Sequence, residues 1–319
     1  MIRYSIIVPA YNEELVLKET YLRLTKVMAS TGESYEIIFI NDGSRDQTLE
    51  IANGLSEQDS HIKVINFSRN FGHQIAVTAG MENSVGQAVV LIDADLQDPP
   101  EVILEMIKKW KEGYDVVYGK RIKRNGETFF KKITAKMFYR FLDHMTAIDM
   151  PVDTGDFRLI DRKVCDSMNL LSEKNRYLRG LVCWVGYKQI GVEYVREERF
   201  AGETKYPLKK MLKLAGDAII SFSNKPLKIA GLVGFILSVC SFLYIIVIVI
   251  QRLFTNTTVT GWASILAVML FFNGVTLIMH GITGEYIGRI YEETKNRPLY
   301  IIRDKIGFED SKEEMDSRN

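Results

Sequence analysis

The chain has few of the residues from which metal and redox centres are commonly built. Its 319 residues include three cysteines and four histidines, all widely separated. No CxxC, HExxH or HxxxH pattern occurs, which excludes the common zinc motifs and argues against a disulfide framework. The scattered cysteines fit a reducing compartment, where we expect them to act only in packing.

An excess of charge of one sign is also lacking. Lys and Arg number 41 against 40 Asp and Glu, so the net charge of +1 gives no reason to expect nucleic acid as a partner. There is no GxGxxG after the first predicted strand and no GxxxxGK[ST], so neither a dinucleotide oxidoreductase nor a P-loop NTPase is supported. The apolar run in MIRYSIIVPAYNEE is too short for a signal peptide, and we expect the N-terminal domain to remain in the cytoplasm.

Two long apolar segments are present near the C-terminal end. Residues 229–250 carry no charge over 22 residues, enough for a helix of about 33 Å that crosses a hydrocarbon core. Residues 262–284 are also uncharged, although they include Asn273 and His280. Lysines precede the first segment and basic residues follow the second, whereas Arg252 is the single charge near the short connection. The positive-inside rule therefore predicts a transmembrane hairpin in the inner or plasma membrane with both termini cytoplasmic; buried core helices are the alternative.

The flanks of this hairpin are polar or amphipathic. Residues 201–228 are predicted to be a juxtamembrane amphipathic region. Within it, residues 207–226 place apolar side chains at helical spacing with lysines on another face, which predicts a helix at the bilayer surface. An ordinary amphipathic surface helix is the alternative, and residues 131–145 resemble this segment. Residues 289–319 are predicted to be a cytoplasmic tail.

The first 200 residues alternate between β-rich and helix-like segments. Strands are expected at 5–10, 36–42, 63–68, 88–95 and 115–120, separated by helices of about a dozen residues. Near-continuous apolar strands of this kind predict an α/β domain with a doubly wound parallel sheet. Ligands of such sheets bind beyond the carboxyl ends of the strands, where this sequence has four polar turns.

The turn after the fourth strand has the side chains of a metal site. In VLIDADLQDPPE, the residues Asp93, Asp95 and Gln97 alternate, so an extended chain would direct all three to one side. Their oxygen ligands suit Mg²⁺ or Mn²⁺, and diphosphate and water would complete the coordination.

Taken in order, the motifs VPAYNEE, INDGS, SRNFGHQ, LIDADLQDPPE, GKR, DTGDFRL and ERFAGETKY resemble the family 2 glycosyltransferases of the GT-A fold. With the two apolar segments, the chain more narrowly resembles the polyprenyl-phosphate glycosyltransferases, which include dolichyl-phosphate mannose synthase and bacterial bactoprenol glucosyltransferases. The resemblance covers residues 2–300. The QxxRW motif of processive members is absent, which disfavours a polysaccharide synthase.

The resemblance implies a set of site residues. The residues that would contact the nucleotide are Pro9, Tyr11, Glu13, Asp42 and Asp93. The metal would be held by Asp93, Asp95 and Gln97, and the catalytic residues would be Asp156 and Asp95. The residues that would contact the phosphates and the acceptor are Arg121, Arg124, Arg199 and Lys205.

The resemblance also implies a reaction, the inverting transfer of glucose or N-acetylglucosamine from a UDP-sugar to polyprenyl (undecaprenyl) phosphate. The SRNFGHQ turn is similar to that of the glucose and N-acetylhexosamine transferases, which favours UDP over GDP. A lipid phosphate is largely anionic near neutral pH, so Asp156 need not act as a base and is expected to orient the sugar; a turn-capping carboxylate is the alternative. GDP-mannose as donor, another lipid or glycan as acceptor, or a non-catalytic membrane scaffold are the competing hypotheses. A separate flippase and a downstream glycosyltransferase are expected partners, and a homo-oligomer is compatible with the sequence.

Overall fold

A computed structural model describes residues 1–122, 151, 154–197, 223, 225–254 and 261–308 of the chain. The described residues fall into two compact units. The sheet unit contains residues up to 197 and again from 297 onward, and the helical unit contains residues 223–296. Most of the predicted juxtamembrane region and all of residues 131–145 lie outside the described residues.

The sheet unit is built on one sheet of eight strands. The strands are β1 (Tyr4–Ala10), β2 (Tyr35–Asn41), β3 (Ile62–Phe67), β4 (Ala88–Leu91), β5 (Val116–Arg121), β6 (Thr154–Asp161), β7 (Gln189–Tyr194) and β8 (Ile302–Ile306). Their order across the sheet is β7-β5-β6-β4-β1-β2-β3-β8. Strands β1 to β4 are mutually parallel and β5 is parallel to β7, whereas β6 and β8 run antiparallel to their neighbours. The predicted α/β, Rossmann-like and mostly parallel sheet is confirmed.

Helices pack against this sheet and bury its apolar strands. They are α1 (Leu17–Ala29), α2 (Thr48–Gln58), α3 (His73–Glu82), α4 (Val102–Lys111), α5 (Arg162–Asn169) and α6 (Leu178–Trp184). Every residue of β1 and β2 is buried, as expected for parallel strands covered on both faces. Helix α3 lies especially close to the sheet, since a Cβ at Gly80 would come within 2.2 Å of Ile7 Cγ2. The start of α3 at His73 lies at the carboxyl edge of the sheet, since it follows β3 directly.

The five strands expected from the sequence are present, but the fourth is shorter and three others were not predicted. Strand β4 ends at Leu91 rather than continuing to residue 95. Strand β6 was missed because its polar sequence includes Asp156 and the buried Arg158. Strand β8 falls inside the segment that was predicted to be a cytoplasmic tail. Its charged sequence, IRDKI, is typical of a sheet edge, where charges discourage further pairing.

The helical unit consists of α7 (Lys225–Phe254) and α8 (Trp262–Thr294), which contact each other. At its base, Tyr286 Oη donates a hydrogen bond to the Ser223 carbonyl at 2.8 Å. Among the described residues, one helical segment, Lys225–Tyr244, is long and apolar enough to cross a bilayer, with a mean hydropathy of 1.9. Helix α8 coincides with the second predicted span. With one such segment found among the described residues, the transmembrane hairpin stays a prediction.

Candidate active site

The turns after β1, β2 and β3 contact one another at the carboxyl edge of the sheet. Asn12 N–H donates to Ser44 Oγ at 3.0 Å, which joins the first two turns. Gly43 has a φ of +67°, and a Cβ there would lie 2.5 Å from the carbonyl carbon of Arg69 and from Asn70 N. Only glycine fits both the conformation and the contact, so the second and third turns are held against each other.

Asp42 is the carboxylate that fastens the loop after β3. Its two oxygens accept hydrogen bonds from Phe71 N–H at 2.6 Å and from Gly72 N–H at 2.9 Å. Burial raises the pKa of Asp42, although these two bonds act against the rise. A residue predicted to contact the nucleotide is therefore also an anchor of the neighbouring loop.

The other predicted nucleotide residues near the N-terminus differ in their placement. Pro9 lies inside β1, buried and opposite Ile40. Tyr11 and Glu13 are half-buried in the turn that follows, where Glu13 N–H donates to Thr48 Oγ1 at 2.8 Å. Tyr11 and Glu13 thus line this edge, whereas Pro9 can only shape it.

The acidic turn after β4 is folded and not extended. Because β4 ends at Leu91, the expectation that three alternating side chains point to one side on an extended chain is wrong. Leu96 has a φ of +58°, and Asp95 Oδ1 accepts a hydrogen bond from Gln97 N–H at 3.1 Å. Gln97 is anchored as well, since its carbonyl accepts from Glu197 N–H at 2.9 Å. The short turn is thus held by one hydrogen bond of its own and by one from Glu197, which follows β7.

The carboxylates of this turn form an acidic environment. Burial raises the pKa of Asp93 to about 6; His73 lowers it, and the nearby Asp156, Asp98 and Asp95 raise it. In the described part of the chain, no three His, Cys, Asp or Glu side chains are grouped so as to hold a metal ion. A site with two carboxylates remains compatible, because Mg²⁺ commonly uses one or two carboxylates with water and phosphate. Asp93 and Asp95 fit such a site, and their crowding favours a cation there.

Asp156 lies at the centre of a network of hydrogen bonds and charges. It sits on β6, not in a loop, and Arg179 approaches it as a fork, with Nε 2.8 Å from Oδ1 and Nη2 3.2 Å from Oδ2. Gln74 Nε2 adds a donor at 3.3 Å. Burial alone would raise the pKa of Asp156, but Arg179 and His73 hold it well below its usual range. The carboxylate is therefore ionised and fixed in orientation.

His73 and Arg179 are functional candidates that the sequence reasoning missed. His73 is the first residue of α3, and its Nε2 lies 3.5 Å from both Asp93 Oδ1 and Asp156 Oδ2. Burial lowers its pKa, but these two carboxylates outweigh burial and raise it to about 9. The SRNFGHQ motif contained the signal for His73. Arg179 lies in a segment that matched no motif, so only its contact with Asp156 reveals it.

Of the four predicted phosphate-binding cations, only Arg121 is described. Its Nη2 lies 3.5 Å from Asp98 Oδ2 and its Nε donates to Tyr194 Oη at 3.2 Å. Tyr194 Oη in turn donates to Asp98 Oδ1 at 2.5 Å, and a Cβ at Gly155 would lie 2.5 Å from Arg121 Nη2. The structure thus places Arg121 in a cluster around the buried Asp98. Arg124, Arg199 and Lys205 lie outside the described residues.

Residues 5–168, about half of the chain, match the sequence profile of Glycosyl transferase family 2. The chain belongs to this family. The motifs that suggested this family contain the turns at the carboxyl edge, the acidic turn after β4 and Asp156. As a family 2 glycosyltransferase it has the predicted GT-A architecture.

Similar proteins span almost the whole of this glycosyltransferase. The protein named "Uncharacterized glycosyltransferase YkcC" of Bacillus subtilis is 61% identical over 98% of this chain and 96% of its own length. A prophage-derived bactoprenol glucosyl transferase of Shigella flexneri is 41% identical, covering 94% of this chain and 97% of its own. Among solved structures, glucosyl-3-phosphoglycerate synthase of Mycobacterium tuberculosis is 18% identical with a TM-score of 0.44, covering 69% of this chain and 78% of its own.

Proposed function

We propose that this glycosyltransferase transfers a hexose, glucose or N-acetylglucosamine, from a UDP-sugar to polyprenyl (undecaprenyl) phosphate at the cytoplasmic face of a membrane. The observation that carries the proposal is the forked contact between Arg179 and Asp156, which holds an ionised carboxylate next to the acidic turn. The lipid acceptor is supported by relatives about 40% identical that are named bactoprenol glucosyl transferases.

The donor would be held by the turns at the carboxyl edge. Tyr11, Glu13 and Asp42 are proposed to contact the base and ribose, with Pro9 shaping the edge and Asp93 near the ribose and diphosphate. Mg²⁺ or Mn²⁺ would be held by Asp93, Asp95 and Gln97. Such an ion, when bound, neutralises the charge that develops on the departing diphosphate. Arg121, Arg124, Arg199 and Lys205 are proposed to lie along the phosphates, in the case of Arg121 by leaving its contact with Asp98.

Asp156 is proposed to orient the sugar and to stabilise positive charge at C1. A phosphate oxygen of the lipid attacks C1, and the bond from C1 to the UDP oxygen breaks with its electron pair leaving on UDP. This single displacement inverts the anomeric centre without a covalent enzyme intermediate. The nucleophile has a second pKa of about 6 and is mostly ionised near neutral pH. A carboxylate whose pKa is held low is a poor base, so its contact with Arg179 suits an electrostatic role.

A panel of donors and acceptors tests this proposal. The purified protein, in detergent with Mg²⁺ or Mn²⁺, would be incubated with UDP-glucose, UDP-N-acetylglucosamine and GDP-mannose, each with a short polyprenyl phosphate, the corresponding polyprenol or diacylglycerol. We expect a β-linked product only from a UDP-sugar and the lipid phosphate. Transfer to the polyprenol or to diacylglycerol would contradict the proposal, as would transfer that uses GDP-mannose and neither of the UDP-sugars. An absence of both transfer and donor hydrolysis would favour a scaffold.

Membrane insertion through a pair of helices is supported by the surface of α7 and by the path of the chain. Leu232, Phe235 and Phe242 are each more than half exposed, which is costly in water and favourable in lipid. The chain leaves the sheet unit before α7 and rejoins the same sheet at β8. It must therefore cross a membrane an even number of times in between. If α7 crosses, α8 is the described helix that can return.

Single cysteines in a background without Cys165, Cys183 and Cys240 test this topology. We expect a membrane-impermeant maleimide to label Thr257→Cys, between the two helices, in intact cells. Ser317→Cys, near the C-terminal end, should be labelled only after lysis. Labelling of Ser317→Cys in intact cells would place the C-terminal end outside the cytoplasm and contradict the proposed topology, and protection of both cysteines until lysis would contradict the crossing. A separate flippase and a downstream glycosyltransferase are proposed to handle the product, and a homo-oligomer is compatible with this arrangement.

A further inference from the structure

The turn after β2 is connected to the C-terminal strand by a row of side-chain hydrogen bonds. Ser44 N–H donates to Asn41 Oδ1 at 3.2 Å, and Asn41 Nδ2 donates to Asn66 Oδ1 at 2.8 Å. Asn66 Nδ2 donates to the two carboxylate oxygens of Asp304 at 3.2 and 3.0 Å. Asn41 and Asn66 are each only 3% exposed, so water cannot easily replace these partners. We call the three side chains the Asn41–Asn66–Asp304 relay.

The charge of Asp304 sets the direction of the relay. An ionised carboxylate can only accept, so Asn66 must turn its amide nitrogen toward Asp304 and its oxygen toward Asn41. Asn41 must then donate through its nitrogen, which leaves its oxygen for the N–H of Ser44. The backbone N–H at the far end requires the same direction, because it can only donate. Both ends therefore agree, and the two buried amides have a single satisfied orientation.

The same C-terminal segment also supports the loop after β3. The ring of Tyr300 stacks on Phe67 with centroids 5.1 Å apart, and Phe67 meets Phe71 edge-on at 5.5 Å. Phe71 is the residue whose N–H donates to Asp42. Tyr300 is itself held by a hydrogen bond from its hydroxyl to Glu82. One short stretch of chain thus contacts the supports of two adjacent turns.

We propose that residues 300–306 position the nucleotide-binding half of the site, with Asp304 fixing the turn after β2 and Tyr300 fixing the loop after β3. This inference rests on the proposed function, because it assigns the donor nucleotide to those turns. Asp304 and Tyr300 are positioning residues, since they act through Asn41 and Phe71. Their loss should weaken donor binding more than it slows the chemical step, because Asp156 belongs to a different strand.

The test compares Asp304→Leu with two matched variants in the full-length protein. Asp304→Leu removes the acceptor, whereas Asp304→Asn retains an oxygen that can accept from Asn66. Lys305→Ala removes a contact from the same strand, the 2.6 Å bond from Lys305 Nζ to Asn83 Oδ1, which is outside the relay. Tyr300→Ala tests the aromatic contact separately.

Amide hydrogen exchange gives a readout that does not depend on the donor. We expect faster exchange in residues 41–45 for Asp304→Leu and in residues 69–72 for Tyr300→Ala, with both peptides unchanged in Lys305→Ala. UDP binding gives the functional readout, for which we expect Kd to rise about tenfold in Asp304→Leu, the effect of about one lost hydrogen bond. Asp304→Asn should recover most of the affinity, and kcat at saturating donor should stay within about twofold of wild type.

The two readouts separate the possible failures. If Asp304→Leu and Tyr300→Ala showed the same exchange in these peptides as Lys305→Ala, the positioning role would be overturned. If Asp304→Leu showed faster exchange in residues 41–45 but an unchanged Kd for UDP, the link between Asp304 and nucleotide binding would be overturned. A fall in kcat without a change in Kd would overturn it as well. If the wild-type protein bound no UDP, the proposed function would fail, while the exchange data would still decide whether Asp304 holds the turn.

Discussion

Replacement of Asp156 by asparagine is expected to lower kcat by about 10³-fold while changing the donor KM by less than about threefold. The variant keeps the size and hydrogen-bonding oxygen of the side chain but loses the negative charge that we propose faces the sugar. In the proposed role, that charge would stabilise C1 most strongly in the transition state, so its loss should appear in kcat. Initial rates over a range of donor and lipid phosphate concentrations would measure the two parameters.

Asp166→Asn is the matched control for this variant. Asp166 lies on α5, is well exposed, and its carboxylate is 3.5 Å from Arg162, so the same change removes a charge from a surface ion pair. We expect its kcat to equal that of wild type. Thermal unfolding of both variants would show whether lost activity reflects lost structure. A kcat for Asp156→Asn within about tenfold of wild type would contradict the electrostatic role.

The pH dependence distinguishes an orienting carboxylate from a base. A carboxylate of depressed pKa stays ionised as pH falls until that low pKa is reached, so Asp156 should produce no change in rate between pH 5 and 8. We expect the rate to fall as the pH drops through about 6, where the lipid phosphate has its second pKa and where Asp93 also takes up a proton, and this fall should persist in Asp156→Asn. If the rate of the wild-type protein fell at low pH and that of Asp156→Asn did not, Asp156 would be identified as the base.

Asp95→Asn is expected to lower transfer by at least about 10³-fold and to remove the response to Mg²⁺ or Mn²⁺. The amide oxygen can still accept from Gln97 N–H, so the folded turn should survive while the proposed charged metal ligand is lost. Mn²⁺ affinity in the presence of UDP, measured by calorimetry, would fall with the activity. Asp95→Ala should lose activity equally and also disturb the turn.

Asp59→Asn provides a control with the same local geometry. Asp59 Oδ1 accepts from His61 N–H at 2.9 Å, the same two-residue separation as in the Asp95 turn, but at the end of α2. Transfer and Mn²⁺ affinity should match wild type. Full turnover of the wild-type protein after exhaustive chelation would refute the metal role of Asp95.

The sequence predicted the parts of the fold that depend on local apolar pattern. Strands β1 and β2 are short, mostly apolar runs that end at polar turns, which favours buried strands. The turn at Asp95 was misjudged because the positive φ of Leu96 depends on hydrogen bonds to neighbouring residues, which no apolar pattern records. Strand β8 was missed because an edge strand can be charged on much of its surface.

The candidate site shows a similar division between local motifs and tertiary contacts. Asp156 was recognised because its motif is local, and the low pKa that suits an orienting role depends on Arg179, which is 23 residues away along the chain. Arg121 was expected along the phosphates, but its neighbours Asp98 and Tyr194 come together only in the folded sheet. Which charges face one another is a property of the tertiary structure and could not be obtained from single motifs.

The late position of β8 affects how the protein can be made. Asn66 and its partner Asp304 are 238 residues apart, so during synthesis the ribosome completes both long helices before the sheet can gain its last strand. Until then, the edge of β3 has unpaired backbone groups that can join another chain. A fragment that ends near residue 200 would lack β8, so the edge of β3 would stay unpaired and the fragment should aggregate. Fusing residues 300–306 to such a fragment through a flexible linker should restore a soluble monomer.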